Sequence, residues 1–401
     1  PVRNAIIWCD SRAVRTGERA FNTLGEKYCL NKLLNSPGNF TASKLKWVQE
    51  NEPAKYKRIH RIMLPGDYVA YRLTGEIKTT ASGLSEGIFW DFEKNDIADE
   101  LLDHYGISRD FIPDVAETFS IQGQLIRKMA DRLGMQAGTP VRYRAGDQPN
   151  NALSLNVLNP GDVAATAGTS GVVYGVTGHK QYDPLSRVNT FLHVNNTLQK
   201  PRLGILLCLN ATGILNSWAR QHLQSGALSY PEMNDLAMQA PAGADGLFVL
   251  PFGNGAERML GNRQINASIV GLQFNKHTKS HLLRAIQEGI VFALNYGLEL
   301  MEGVGLDLNI IRAGNANMFL SPLFRNTFAD LAKARIELYN TSGAEGAARG
   351  AGIGSGYYHS ANEAFEGLQT IETIEPRENQ LIAEAYQQWK KHLAESLKST
   401  E

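Results

Sequence analysis

Apolar and polar positions change period repeatedly along this chain, and each change marks an element. Residues 4–8 read as a strand that ends at Cys9-Asp10-Ser11-Arg12, and a helix follows to about Leu24, stopped at Gly25. Residues 41–52 predict a helix capped by Thr41, with Leu45 and Val48 on one face and Pro53 ending it. Helices over 67–73, 97–105 and 125–133 each close on a glycine: Gly75, Gly106 and Gly134. Residues 79–90, small and polar and then aromatic, read as a packed loop. Residues 141–145 read as a short strand that presents Asp147, with a helix over 148–157 behind it. Then come an apolar run at 162–167, a Gly168-Thr169-Ser170-Gly171 turn and a second apolar run at 172–176, the pattern of a β-hairpin.

Further on, strands are expected at 204–209, 247–251, 310–313 and 336–339, with a glycine-rich loop at 252–255. Helices are expected at 213–223, 321–333 and 344–356, and a polar one at 378–398. Residues 281–303 predict a long amphipathic helix with Leu282, Ile286, Ile290, Ala293 and Leu300 near one face. Strands alternating with helices give an α/β class. Asn159-Pro160-Gly161 is a turn signal, so the domain boundary is expected there, with domains at 1–158 and 159–401.

Composition narrows the function classes. The 401 residues are 43% hydrophobic and 20% charged, and 40 Lys and Arg balance 40 Asp and Glu. That balance disfavours a general nucleic-acid binder or a polybasic membrane protein. No apolar run is long enough to span a bilayer. Cys9, Cys29 and Cys208 form no CxxC pair, which suits buried, inert thiols in a reducing, cytoplasmic setting. The nine histidines show no metal-binding spacing. The chain starts at Pro1 and enters a strand-like run at once, which reads as a start inside a domain.

Two stretches carry candidate chemistry. Asp147, an acid at a strand end, suits removal of a proton from a hydroxyl. It equally suits a helix N-cap, and the two roles are compatible because a helix N-terminus favours the ionised carboxylate. The Gly168–Gly171 turn exposes backbone N–H groups of the kind a phosphate needs, and it is also an ordinary hairpin turn. Trp8 suits stacking on a sugar face or burial in a core. Arg12 reads as a structural ion pair ahead of a phosphate ligand, and Lys44 and Trp47 as packing and surface. No Walker A or GxGxxG pattern occurs. Residues 350–356 (GAGIGSG) read as a helix packed closely on a sheet.

With these motifs in view, the chain resembles the FGGY carbohydrate kinases, within them the bacterial xylulose kinases. Residues 39–51 (NFTASKLKWVQEN) match the first family signature except at Asn39, and residues 267–288 (ASIVGLQFNKHTKSHLLRAIQE) match the second except at Gln287. AGDQPNNALS at 145–154 resembles the catalytic GGDN segment, with Gln148 for Asn. WCDSR at 8–12, TAGTSG at 166–171 and RAGNANMFLSPLF at 312–324 resemble the WxDxR, phosphate-loop and adenosine segments, the last with extra residues before Ser321.

The resemblance implies an actin-like ATPase (ribonuclease H-like) fold of two domains around a cleft, and ATP-dependent phosphorylation of D-xylulose to D-xylulose 5-phosphate with Mg²⁺. It implies Asp147 as general base and Trp8, Asp10 and Gln148 in the sugar pocket. Gly168, Thr169 and Ser170 would hold the γ-phosphate, Gly213 and Ser217 would flank the nucleotide, and Gly314 and Asn317 would contact adenosine. Metal ligands stay unassigned, and a homodimer is compatible with the resemblance. Such kinases begin with a hairpin carrying Asp-Gly-x-x-Ser/Thr, which is not in this sequence. At ~30 residues per βαβ unit, ~60–100 residues are expected to be missing, leaving the first domain N-terminally incomplete. A chain so shortened is expected to show little or no kinase activity and to leave a sheet edge exposed. Three alternatives stay open: a kinase for ribulose, fuculose or glycerol; a non-catalytic nucleotide-binding protein; and a dinucleotide oxidoreductase, which the missing GxGxxG disfavours.

Overall fold

The structure is a computed structural model that describes residues 1–223 and 228–399. It divides into two compact units. The first holds Pro1–Leu158 together with Gly178–Gly204 and Ser342–Gly367, and the second holds the rest. The first break falls at Leu158, but a single cut there leaves two later stretches on the wrong side.

The second unit is built on a sheet. Its strands run in the spatial order Thr370–Ile374, Arg335–Tyr339, Ile310–Gly314, Asp162–Ala167, Gly171–Thr177 and Leu203–Leu209. Ile310–Gly314 pairs in parallel with both Asp162–Ala167 and Arg335–Tyr339, and Gly171–Thr177 folds back antiparallel on Asp162–Ala167 as expected. Val163, Ala164, Ala165 and Ala167 are all buried, as in a strand covered on both faces. The long helix Lys279–Glu302 is buried on all sides from Ala285 to Asn295 rather than along one stripe. Its apolar residues surround the helix, so it is a core element.

One polar residue in that helix departs from the apolar pattern. Gln287 is buried, yet its amide is satisfied: Nε2 donates to Asn234 Oδ1 (3.0 Å) and Oε1 accepts from Ser321 Oγ (2.7 Å). Ser321 in turn caps the helix Pro322–Ala332. Gln287→Leu is therefore expected to destabilise the protein by about 1–3 kcal/mol, because Ser321 and Asn234 lose a buried partner. Urea denaturation would check this, and an unchanged midpoint would contradict it.

The first unit is mostly helical. Val14–Leu24, Thr41–Asn51, Pro65–Thr74, Asp99–Tyr105 and Arg127–Leu133 form where expected, and Gly75, Gly106 and Gly134 end the last three in the left-handed conformation. Phe40, not Thr41, is the N-cap of the second. Three expectations fail. Residues 4–8 are irregular, because no strand among the described residues pairs with them. Residues 79–90 are not a loop: Thr80 Oγ1 accepts from Gly83 N (3.1 Å) and starts the helix Ala81–Glu86. The strand expected at 141–145 shrinks to Pro140–Val141, because the following side chains are drawn into the network described below. Of the cysteines, Cys29 is buried, its thiol pushed up to about 12 by desolvation, whereas Cys9 is exposed.

Helix Gly343–Ser355 belongs to this unit and packs on helix Asp147–Ser154. In the glycine run at 350–356, Gly350 and Gly354 press on Tyr143 and on Arg142 O, just past the short strand Pro140–Val141, and Gly346 ahead of the run presses on the helix. A Cβ at Gly346 would lie 2.7 Å from Ser154 Cβ, and one at Gly350 would lie 2.6 Å from the Tyr143 ring. Both glycines, spaced four apart, share one helix face.

Candidate active site

In the first unit, Asp147 opens the helix Asp147–Ser154 at its first turn and is exposed. Gly146 is the N-cap, so the capping role considered for Asp147 falls to its neighbour. Its carboxylate accepts a hydrogen bond at Oδ2 from Gln148 Nε2 (3.1 Å). The negative charge in the first turn is favoured by the helix N-terminus.

Buried groups fix the approach to this acid. Asp67 pairs with Arg144 (3.2 Å) and accepts hydrogen bonds from Leu64 N and Thr79 Oγ1, both at 3.0 Å. Arg144 also donates to Gln122 Oε1 (2.9 Å). Behind Asp147, Asn150 Nδ2 donates to Gly343 O (2.8 Å). Removing one member of such a buried network costs more than the pair contributes, so the segment is held rigidly.

Glu86, which the sequence reading passed over, meets the same segment. A Cβ on Gly146 would collide with its carboxylate. Burial, then the charges of Asp147 and Asp67, push Glu86 up to about 8.

Trp8 and Asp10 sit together on the irregular N-terminal stretch. Trp8 is 75% exposed, which removes the core reading. The buried Lys44 donates to Ile7 O (2.7 Å) and so holds the backbone beside Trp8. Asp10 is engaged by Arg12 through Nε (2.9 Å) and a terminal nitrogen (2.7 Å), and this hydrogen bonding holds its carboxyl at about 2. Arg12 thus forms the ion pair expected of it, with Asp10, and its guanidinium also lies over the Trp47 ring at 4.8 Å. Asn39, the departure from the first signature, donates to Asp10 O (2.6 Å). Lys44, Trp47 and Asn39 thus brace Trp8 and Asp10.

In the second unit, Gly168, Thr169 and Ser170 form the hairpin tip. Its carbonyls face the start of helix Gly213–His222: Gly213 N donates to Gly168 O (2.8 Å), Ile214 N to Thr169 O (3.2 Å), and Thr212 Oγ1 to Gly168 O (2.9 Å). The tip's own N–H groups have no acceptor among the described residues. A row of unpaired N–H groups at a turn is an anion site. Ser217 lies one turn beyond Gly213, within 3.4 Å of Gln221 Nε2. Gly314 ends its strand in open space, and Asn317, at φ 54°, brings Nδ2 within 3.7 Å of a Cβ built on Gly168. Gly314 and the tip both stand at carboxyl ends of parallel strands, where α/β sheets bind ligands.

Glu257 was also missed. It is buried, and both its oxygens accept from Asn210 N (3.0 and 3.1 Å), two residues before Thr212. Desolvation pushes it up to about 7. No sequence spacing marks it, because its partner is a backbone group 47 residues away. Among the described residues no cluster of three or more His, Cys, Asp or Glu side chains is placed to hold a metal ion, and no helix is long and apolar enough to cross a membrane.

Two family models match the chain. The model of the FGGY carbohydrate kinase N-terminal domain matches residues 1–154, and that of the C-terminal domain matches 163–355. The chain is 29% identical to a xylulose kinase of Bacillus subtilis (strain 168), over 91% of this chain and 72% of that protein. It is 30% identical to a xylulose kinase of Escherichia coli (strain K12), over 87% and 70%. Three solved structures share the fold. A xylulose kinase from Rhodospirillum rubrum has a TM-score of 0.85 at 24% identity, covering 96% of this chain and 78% of that one. A gluconate kinase from Lactobacillus acidophilus has 0.89 at 21%, covering 99% and 80%. A Plasmodium falciparum glycerol kinase with ADP has 0.87 at 19%, covering 99% and 80%.

Proposed function

The chain belongs to the FGGY family of carbohydrate kinases and has its two-domain, actin-like ATPase fold, and on that premise we propose that it phosphorylates D-xylulose with ATP to give D-xylulose 5-phosphate. The observation that supports this most is the exposed Asp147 at a helix N-terminus, flanked by Gln148. Asp147 takes the proton of the primary hydroxyl as its oxygen attacks the γ-phosphorus, the bond from that phosphorus to the bridging oxygen breaks, and ADP leaves. Gln148 and Asp10 hydrogen-bond the sugar, and Trp8 covers an apolar face of it.

Gly168, Thr169 and Ser170 direct backbone N–H groups to the γ-phosphate. Gly213 and Ser217 flank the nucleotide, and Gly314 and Asn317 take the adenosine end. Mg²⁺, which is usually bound by substrate phosphates and one or two carboxylates, would be held chiefly by the ATP phosphates. When bound it neutralises phosphate charge. The side chains supply in-line positioning, which is most of what phosphoryl transfer requires.

The substrate rests on the two relatives named as xylulose kinases, while a glycerol kinase shares the fold. A panel of D-xylulose, ribulose, fuculose and glycerol on the full-length protein, read by ADP release, tests it. D-xylulose is expected to give the highest kcat/KM. A higher value for another acceptor moves the assignment to that acceptor. ADP release that no acceptor stimulates favours a nucleotide-binding role without transfer.

A further inference from the structure

We propose that Glu86 is a further acceptor-site residue, whose carboxyl hydrogen-bonds a hydroxyl of the sugar beside Asp147. This rests on Asp147 being the base. Glu86 ends the helix Ala81–Glu86, which is fastened at several points. Ser82 Oγ donates to Leu192 O (2.9 Å), and Ser85 Oγ accepts from Leu192 N (2.9 Å). The carboxyl therefore has a fixed place. It presses on Gly146, the residue immediately before Asp147, where even a methyl group would not fit. Its Oε1 is shut off from solvent and has no hydrogen-bond partner among the described residues, and the nearby Tyr143 hydroxyl is likewise without one. Buried polar oxygens are almost always paired, so an unpaired one marks a missing partner.

The surroundings decide the chemistry of that partner. The titratable groups that face Glu86 are Asp147, Asp67 and Tyr143, and Arg144 pairs with Asp67, although its Nε and Nη1 have no hydrogen-bond partner among the described residues. With no cation offered to it, and raised to about 8, Glu86 carries its proton at neutral pH. A neutral carboxyl both donates and accepts, as a sugar hydroxyl does. Once ionised, it would place a second negative charge beside the base and lose its donor.

Sugar binding by calorimetry and initial rates from about pH 6.5 to about 9.5, on the full-length protein, test this. Glu86→Ala is expected to weaken sugar binding about tenfold or more while the KM for ATP stays the same. Glu86→Gln keeps a donor and an acceptor but cannot ionise. It should recover most of the binding and remove a fall in sugar kcat/KM that the parent shows as pH rises through about 8.

Misfolding is not expected to confuse the result. The folded-state pKa of Glu86 lies above its ordinary 4.5. Between that value and about 8 the native state keeps a proton that the unfolded state releases, and stability falls as pH rises. Glu86→Gln removes that cost and should melt no lower than the parent at neutral pH. Sugar affinity within about twofold of the parent in Glu86→Ala, or an alkaline fall that persists in Glu86→Gln, overturns the proposal. Asp147→Asn run alongside separates the two ideas. If it still transfers phosphate, the assigned base is wrong, and the calorimetric comparison still decides Glu86.

Discussion

Asp147→Asn is expected to lower kcat for sugar phosphorylation by about 10²–10⁴-fold, the usual contribution of a positioned base. The amide keeps the shape of the carboxyl and can still bond Gln148, but it cannot accept the hydroxyl proton. Because Asp147 is exposed, the fold should lose little: about 0.3–1 kcal/mol for removing a negative charge from a helix N-terminus. ATP binding should be unaffected, since the groups proposed for the nucleotide lie in the other unit. Stopped-flow measurement of product formation, with ATP titrated separately, checks both halves. Persistent transfer would mean another group removes the proton, and a matching loss of ATP affinity would point to a general disturbance.

The second large effect is expected at Gly213. A Cβ there would collide with the Gly168 carbonyl oxygen and lie 2.9 Å from its carbon. Both partners are backbone, so no rotamer change relieves the clash. Gly213→Ala must push helix Gly213–His222 off the hairpin tip and break the bond from Gly213 N to Gly168 O. Overpacking of this kind costs about 1–3 kcal/mol. The larger consequence is for ATP, because the same displacement moves the free N–H groups of Gly168, Thr169 and Ser170. A KM for ATP raised about tenfold or more is expected, with sugar affinity little changed. An unaltered KM for ATP would show that the tip does not hold the nucleotide.

Local signals in the sequence marked some elements and not others. Gly75, Gly106 and Gly134 end helices because each takes a left-handed conformation that other residues resist. The hairpin at 162–177 was legible because two apolar runs flank a turn of small residues. Residues 4–8 look the same as a strand but pair with none among the described residues, and pairing is not a local property. Thr79–Thr80-Ala81 concealed a cap, because small polar residues suit loops and helix starts alike.

The site divides in the same way. Asp147 and the tip were visible as residue types at element ends. Glu86 and Glu257 were not, since an acid becomes unusual only when distant chain closes over it. Gln287 stood out as a departure from an apolar pattern, yet only its two partners explain it.

The tight seating of Gly343–Ser355 on Asp147–Ser154 bears on how the gene can be divided. A fragment stopping at Leu158 would be translated without the stretches 178–204 and 342–367 that complete its unit. Its Tyr143 and Asn150 would then face water, where Gly350 and Gly343 now cover them. Anyone wishing to study the first unit apart from the second would need to stitch the three stretches together with linkers, since every contiguous piece that contains all three also carries residues 159–177 and 205–341 of the second unit.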